Sequence, residues 1–553
     1  MRSTQKINGT SARMDGTARA ALQGGGELTL LLTGSQWQLA FVVGTVMAFV
    51  ALPFYGSVCP WVAVAVFAVG VIIVHLRYAA RFIVPFPHIF LLVAALQYVL
   101  AATASAHWPS YGFFDIGPRL PQYLPFATLV LLSCAAGWGL GLRKLRIPAR
   151  RPGFVATPDL LYSLDALLVL GFLAVIPANL AQEGKFGFLL YLLSYLRYLG
   201  CYGRMVCHGP GAAWRMALVA VADLLFSTDR GSFHGFVLLG FWTFALLAFH
   251  FRISWRGIIV ACMAGLLLLP TLQSSKVELR NYIEEGRIGD TLDTRSAWEK
   301  VSRWSFSMME SLEKTLGGSL DSEFLGNTVA RYNQGWIVDK VMQHVPAVEP
   351  CALGETLKDT FISALIPRVF YPDKVVTGGR LNMKRFAGIE LTEETSMNLG
   401  YAGEMYANFG YWGGIIGCGL YCFGFSLLFK VICKRAFNAP LWWAVLPYIF
   451  YVALKAEDDI VGVVNWISKA CVVMAVVCFA FPAVRQALFP GKVKGENTRR
   501  QSDPTQREAR RRMRGGEIMT TPEQPDPLAD REVSGDPLLP GAERSTKSAE
   551  QSA

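Results

Sequence analysis

The sequence predicts an all-α polytopic membrane protein, and three observations carry this prediction. Hydrophobic residues make up 53% of the 553 positions and charged residues only 17%, whereas soluble proteins carry about 25% charged residues. The apolar residues occur in blocks close to the roughly 20 residues that cross a bilayer as a helix. Between two groups of such blocks lies one polar segment, residues 274–411, which we expect to be a large, partly helical loop outside the membrane.

About 12 transmembrane helices are expected, nine within residues 37–273 and three within residues 412–482. The seventh predicted span is short, and the eleventh ends on charged residues. The predicted spans are 38–55, 60–76, 84–104, 123–142, 159–178, 186–203, 214–228, 234–251, 256–273, 412–433, 440–456 and 460–482.

The distribution of Lys and Arg predicts the orientation of these spans. With the N-terminus inside, the short inner loops hold eleven cations, whereas the short outer loops and span ends hold four. This bias satisfies the positive-inside rule. Both termini are therefore expected in the cytoplasm, and the loop 274–411 on the opposite face.

The two ends of the chain are polar. Residues 1–36 lack the short apolar region and small-residue cleavage site of a signal peptide, so a cytoplasmic segment is expected there. Residues 483–553 are rich in Arg, Glu, Pro, Gly and Ser and lack apolar periodicity, which predicts a disordered tail. The basic first half of the tail either contacts anionic membrane lipid or only fixes the topology. Nucleic-acid binding is not expected, because no folded module accompanies these charges.

No cofactor is predicted. Most of the 11 cysteines fall inside predicted spans, where a buried thiol behaves as a small hydrophobic group. No CxxC or Cys/His spacing typical of a metal site occurs, and no nucleotide-binding loop is present.

Several charged residues lie within predicted spans, and three of them, Asp165, Arg197 and Asp223, belong to three successive helices. Each is expected roughly 9–12 Å from the inner end of its helix. Opposite charges at one depth in a membrane are costly unless they meet. We therefore expect an ion cluster that either holds three helices together or lies on a transport path.

The loop predicts helices of its own. Residues 296–316 place Trp, Val, Met and Leu at helical spacing between charges, and residues 328–346 and 355–367 read as two further helices that end at prolines. After Pro367 helical periodicity is absent, and cations concentrate there: Arg368, Lys374, Arg380, Lys384 and Arg385. A local concentration of cations is typical of an anion site.

Three stretches of this chain resemble a known family. They are RYNQGWIVDKVMQHVP, GETLKDTFISALIPRVFYPDK and TSMNLGYAGEMYANFGYWGGII, together with an Arg-Gly pair after an earlier span. These elements, within residues 227–235 and 328–415, resemble the O-antigen polymerase (Wzy-type) family of repeat-unit polymerases. The similarity is greatest to members from exopolysaccharide loci.

The resemblance implies a reaction and a location. Family members join oligosaccharide units carried on undecaprenyl pyrophosphate at the periplasmic face of the bacterial inner membrane. The chain would then be a multi-pass glycosyltransferase, and 274–411 a periplasmic loop. Its partners would be the lipid-linked glycan and membrane lipids, and possible further partners are a chain-length regulator and a flippase.

Candidate roles follow from residue chemistry. Arg and Lys stabilise charge on a leaving pyrophosphate, and a carboxylate or imidazole takes the proton from the attacking hydroxyl. The predicted catalytic residues are Glu404, Arg230, Arg368 and His344, with Glu404 the first choice of base and His344 the second. The predicted substrate-binding residues are Arg331, Asn333, Gln334, Lys374, Arg385, Tyr406 and Asn408.

Each catalytic assignment has a structural alternative. Glu404 could instead cap its own helix, where a carboxylate favours the N-terminus. His344 could be a plain helix end, Arg230 a membrane-interface anchor, and Arg368 the partner of a loop carboxylate.

Two other classes of protein remain open at this stage. An O-antigen ligase has a similar layout but transfers the glycan to a lipid A core. A transporter or flippase fits less well, because no repeat between the two halves is visible, whereas many transporter folds are built from such repeats.

The topology can be tested with a fused reporter. A reporter that is active only in the cytoplasm, fused at Gly318, should be silent because the predicted loop lies on the opposite face. The same reporter fused after residue 490 serves as the positive control. Strong activity at Gly318 would overturn both the topology and the proposed reaction.

Overall fold

The structure is a computed structural model in which helices account for most of the described chain. It describes residues 28–29, 34–52, 59–106, 116–148, 156–180, 187–229, 231–288, 292–293, 295–317, 322–366, 379–392 and 397–490. The predicted 1–36 and 483–553 segments lie almost entirely outside these ranges.

The helices before the loop run from α1 to α10. Their bounds are α1 Gly34–Ala51, α2 Cys59–Ala79, α3 Phe86–Ala104, α4 Leu120–Leu142, α5 Pro158–Leu180, α6 Gly187–Ser194, α7 Leu196–Val206, α8 Ala212–Asp229, α9 His234–Phe251 and α10 Trp255–Glu285. Two pairs of two-residue strands are also described, β1 Leu28–Thr29 with β2 Arg146–Ile147, and β3 Arg287–Ile288 with β4 Leu292–Asp293.

The loop and the last spans form the remaining helices. Their bounds are α11 Ala297–Leu316, α12 Ser322–Tyr332, α13 Gly335–His344, α14 Glu355–Leu365, α15 Arg380–Ala387, α16 Gly400–Ala436, α17 Trp442–Ile449, α18 Ile460–Ala480 and α19 Pro482–Leu488. We call the end of the bundle at which α11–α15 attach the loop side.

Within the described ranges, nine helices are long and apolar enough to cross a membrane: α1–α5, α9, α10, α16 and α18. The chain is therefore a helical, polytopic membrane protein. The other three predicted spans take different forms. Residues 186–203 form α6 and α7, which break at Tyr195, and residues 440–456 form α17 and a short 3₁₀ turn, Val452–Leu454. Helix α8 is long enough but carries Arg215, Asp223 and Asp229.

The most extensive contact between two described helices is that of α4 with α16. A Cβ atom on Gly137 would lie only 2.2 Å from the carbonyl oxygen of Gly419, so only glycine allows this approach. Small residues at such a contact let two membrane helices pack backbone to backbone. Helix α16 bends at Gly410, where φ is 68° and ψ is −161°. The bend separates the polar start of α16 from its apolar remainder.

The loop helices confirm two sequence predictions, show that a third predicted helix is two helices, and contradict a fourth prediction. Helix α11 begins at Ser296 with a reciprocal capping box to Glu299, α14 matches 355–367, and 328–346 forms the end of α12 and all of α13, broken at Asn333 and Gln334. The prediction that no helix follows Pro367 within the loop is wrong, because α15 lies there. This helix lies between two glycines of positive φ, and its eight residues are too few to show a clear period.

The predicted cluster of Asp165, Arg197 and Asp223 is also corrected. Helices α5 and α7 pack so that Gly171 of α5 lies against Arg197 of α7. Gly171 is six residues, or about 9 Å along the helix, beyond Asp165. Among the described carboxylates, Arg197 therefore pairs with Asp223 and not with Asp165, at 2.8 Å from Nη2 to Oδ1. The Asp165 carboxylate instead accepts hydrogen bonds from Arg204 and from Arg215, the latter through two contacts of 2.7 Å. These pairs connect α5, α7 and α8 at two levels.

Replacing Asp165 by Asn should destabilise the bundle. The change takes away the carboxylate that pairs with both the buried Arg204 and the partly buried Arg215. Because Asp165 is 28% exposed, the cost should lie below the roughly 3–5 kcal/mol of breaking a fully buried ion pair. Membrane abundance and the thermal unfolding midpoint in detergent should both fall. Asp159→Asn, on an exposed turn of the same helix, is the matched control. Equal stability of the two variants would show that the Asp165 cluster does not hold these helices.

Candidate functional site

A cavity of about 130 Å³ lies on the loop side, between α3, α9, α10, the end of α12 and the segment that leads into α18. We call it the loop-side cavity. Its lining includes apolar side chains, among them those of Val237, Phe241 and Leu272, which we call the apolar wall. It also includes charged or titratable side chains, which we call the rim: Lys276, Arg331, Lys455, Glu457 and His234. An apolar wall next to a charged rim suits an amphipathic ligand.

A π-helical segment of α3, Ala95–Leu100, positions two walls of the cavity. The carbonyl oxygen of Gln97 accepts a hydrogen bond from the Gln334 amide at 3.0 Å, at the break between α12 and α13. The side-chain oxygen of Gln97 accepts another from the Ala456 amide at 3.2 Å, and Tyr98 donates to the Ala456 carbonyl at 2.6 Å. Such π segments are frequent at functional sites. Here the segment holds Arg331 and residues 455–457 around the same space.

The rim of the cavity carries a net positive charge. Among the described residues, Lys276 and Arg331 line it. Lys455 lines it too, but it pairs with Asp458 at 2.7 Å and with Glu457 at 3.8 Å, so the excess positive charge comes from Lys276 and Arg331. Arg280 lies nearby on α10 and donates to the carbonyl oxygen of Gly231 at 2.9 Å. Excess cations around a partly apolar space favour binding of an anion.

Burial raises the pKa of two groups next to the charged rim, Asp458 and Tyr332. Lys455 pairs with Asp458 at 2.7 Å, yet burial raises the pKa of the Asp458 carboxyl to about 6 despite this lysine. Burial also raises the pKa of Tyr332 to about 12. The Tyr332 hydroxyl therefore remains a hydrogen-bond donor at neutral pH.

Glu404 lies at a second buried cluster, which joins α14, α16 and α18. Its side chain is 1% exposed, and its two oxygens accept hydrogen bonds from the Thr356 hydroxyl at 2.8 Å and from the Ile460 amide at 2.9 Å. Asn408 donates to Thr356 and accepts from the Gly354 amide. Glu404 thus caps the N-terminus of α18. The structural alternative offered by the sequence, in which Glu404 caps its own helix α16, is therefore wrong about the helix.

The predicted site residues fall into separate groups. Arg331 lines the cavity, Gln334 donates to Glu457 at 3.1 Å, and the fully buried Asn333 amide group has no hydrogen-bond partner within the described chain. Glu404 and Asn408 belong to the second cluster, with Tyr406 packed edge-on against Phe126 near them on α16.

The remaining predicted residues lie elsewhere or outside the described ranges. Arg385 pairs with Glu349 at 2.6 Å and with Glu355 at 3.0 Å. The ring of His344 lies against Gly388, where a Cβ atom would be 3.1 Å away. Three predicted anion-binding residues, Arg230, Arg368 and Lys374, are outside the described residues.

Several cavity residues did not emerge from the sequence. His234 follows the Arg-Gly pair of the predicted motif by only three positions, and Lys276 follows the ninth predicted span. Glu457 is the first of three consecutive acids at a predicted span end. Proximity to the motif was a usable signal for His234. The signal for Lys276 and Glu457 was weak, because charged residues are common at span ends.

Comparisons with known proteins give no match: no protein-family model, no curated protein and no solved structure is similar to this chain. Across the described ranges, no group of three or more His, Cys, Asp or Glu side chains is placed to hold a metal ion.

Substitutions at Glu404 should separate its structural role from a catalytic one. Glu404→Ala leaves two buried donors, the Thr356 hydroxyl and the Ile460 amide, without an acceptor, at roughly 1–3 kcal/mol each. Its membrane abundance and unfolding midpoint should fall. Glu404→Gln keeps an acceptor for Ile460, so abundance and activity should both be retained.

The measurements are the membrane level of both variants and the amount of glycan polymer, the product expected from the sequence resemblance. Glu355→Ala, at an exposed carboxylate of α14, is the control. Loss of product from Glu404→Gln at normal abundance would restore Glu404 as the base.

Proposed function

We propose that the protein polymerises undecaprenyl-pyrophosphate-linked oligosaccharide repeat units into O-antigen or exopolysaccharide at the periplasmic face of the bacterial inner membrane. The observation that carries this proposal is the loop-side cavity, which combines an apolar wall and a cationic rim. A lipid pyrophosphate has the matching two parts, an isoprenoid chain and a dianionic or more highly charged head.

The cations of the rim suit the leaving group. In the reaction, a sugar hydroxyl of the acceptor unit forms a bond to the anomeric carbon of the donor sugar. The bond from that carbon to the pyrophosphate oxygen breaks, and the electron pair leaves with the lipid pyrophosphate. Lys276 and Arg331, which line the cavity, are the residues that we propose to stabilise this growing negative charge. The energy comes from the phosphoester already present, so no nucleotide is required.

The proton of the attacking hydroxyl needs an acceptor at the same place. Glu404 and His344, the bases expected from the sequence, do not line the cavity, and both oxygens of Glu404 already accept hydrogen bonds. His234 does line it, with Nδ1 at 3.1 Å from the Ser232 hydroxyl. If Ser232 accepts from Nδ1, the lone pair lies on Nε2, which then serves as the general base. We therefore assign the base to His234.

Substitution of Arg331 tests the proposal. Arg331→Ala should leave the protein in the membrane while polymer disappears and single lipid-linked units accumulate, because loss of one contact to a developing charge costs on the order of 10²–10³ in rate. Arg331→Lys should rescue poorly, since an ammonium cannot reproduce the bidentate fork of a guanidinium. Electrophoresis of extracted glycans beside a membrane blot measures both quantities.

A matched control and two contrary outcomes complete this test. Lys358→Ala removes an exposed cation of α14 that does not line the cavity, and it should behave as wild type. A normal ladder from Arg331→Ala would remove the loop-side cavity from the reaction. Full-length chains that accumulate on the lipid carrier without transfer would instead indicate a ligase.

A further inference from the structure

A second cavity, of about 270 Å³, adjoins the first on the other side of His234. It lies between α5, α6, α7, α8 and the start of α9. We call it the tyrosine cavity, because Tyr191, Tyr195 and Tyr198 contribute to its wall. His234 belongs to the walls of both cavities. A group bound in one cavity would therefore be close to a group bound in the other.

Buried polar side chains form the floor of the tyrosine cavity. Arg197 is 6% exposed and Asp223 is 4% exposed, and they form the ion pair described above. Arg197 also donates to the Tyr198 hydroxyl at 2.9 Å, and Tyr198 donates to Asp223. Ionisable residues inside a membrane bundle are costly and characteristic of functional sites. A space of this size bordered by such a network indicates a polar ligand.

The charges that line the tyrosine cavity do not suit a pyrophosphate, the ligand proposed for the loop-side cavity. The guanidinium of Arg197 is neutralised by Asp223, so the floor carries no net charge for an anion. What the wall presents instead are hydroxyl groups, from Tyr191, Ser227 and Ser232, and aromatic rings. Hydroxyl donors and acceptors beside aromatic faces suit a neutral, polyhydroxylated ring.

We infer that the tyrosine cavity binds the terminal sugar of the acceptor unit, with its attacking hydroxyl toward His234. This inference rests on the proposed function and divides the two substrates between two spaces. The donor pyrophosphate occupies the cationic loop-side cavity, and the neutral acceptor sugar occupies the tyrosine cavity. The imidazole between them receives the hydroxyl proton as the new glycosidic bond forms and the pyrophosphate leaves.

Cysteine protection tests this division in the full-length protein in lipid nanodiscs. Ser227→Cys places a thiol in the wall of the tyrosine cavity, and Gln273→Cys places one in the loop-side cavity. Neither change touches the Arg197–Asp223 pair, and Ser→Cys is nearly isosteric. Alkylation by N-ethylmaleimide is followed by mass spectrometry of the peptide that holds the new thiol, which separates it from native cysteines. The probes are inorganic pyrophosphate and the phosphate-free oligosaccharide released by mild acid from the host's lipid-linked units.

The oligosaccharide should slow alkylation of residue 227 several-fold, and pyrophosphate should slow alkylation of residue 273 but not of residue 227. Protection of residue 273 by pyrophosphate without protection of residue 227 by the oligosaccharide would overturn the acceptor-site inference and leave the proposed function standing. Protection of residue 227 by pyrophosphate would also overturn it, because the tyrosine cavity would then be an anion site. Absence of protection at both positions would count against the proposed function as well.

Discussion

The walls of the candidate site depend on one buried hydrogen bond, from the Ile460 amide to the Glu404 carboxylate at 2.9 Å. An amide at a helix start has no partner within its own helix, and a carboxylate there is favoured by the helix dipole. In a low-dielectric interior this contact is stronger than at a surface. It fixes the start of α18, and with it the preceding residues 455–457, which carry Lys455 and Glu457 to the loop-side cavity.

The same need for partners explains how the loop attaches to the bundle. The Gln97 carbonyl in the π segment of α3 accepts the amide of Gln334, and Glu457 accepts the Gln334 side chain. A π segment frees backbone groups that a regular helix would use internally. The irregular turn of α3 therefore connects the membrane helices with the loop helix that brings Arg331 to the cavity. In the reaction we propose, this connection places Arg331, which would bind the pyrophosphate, beside the apolar residues that would bind the lipid chain.

Sequence reasoning succeeded where local periodicity or a cap decides the outcome, and failed where register between helices decides it. The amphipathic helix α11 and nine of the twelve predicted spans are confirmed, because each depends on residues close in sequence. Asp165 was assigned to the wrong partner, since the alignment of α5 with α7 at Gly171 is set by packing. The sequence predicts Arg331 as a substrate-binding residue, and it lines the cavity, whereas Lys276 and His234 line it without having been predicted.

Composition and apolar blocks by themselves determined that this chain is a helical membrane protein, because the bilayer requires every backbone polar group to be satisfied within a helix. They also determined that cations, amides and a carboxylate occur in one polar segment between the spans. Only the tertiary structure decided which of these groups share a space. Arg331 and Lys455 are 124 positions apart, and such a contact depends on helix packing that no local pattern records. Glu404 likewise does not line the cavity, because its side chain instead accepts hydrogen bonds from Thr356 and Ile460.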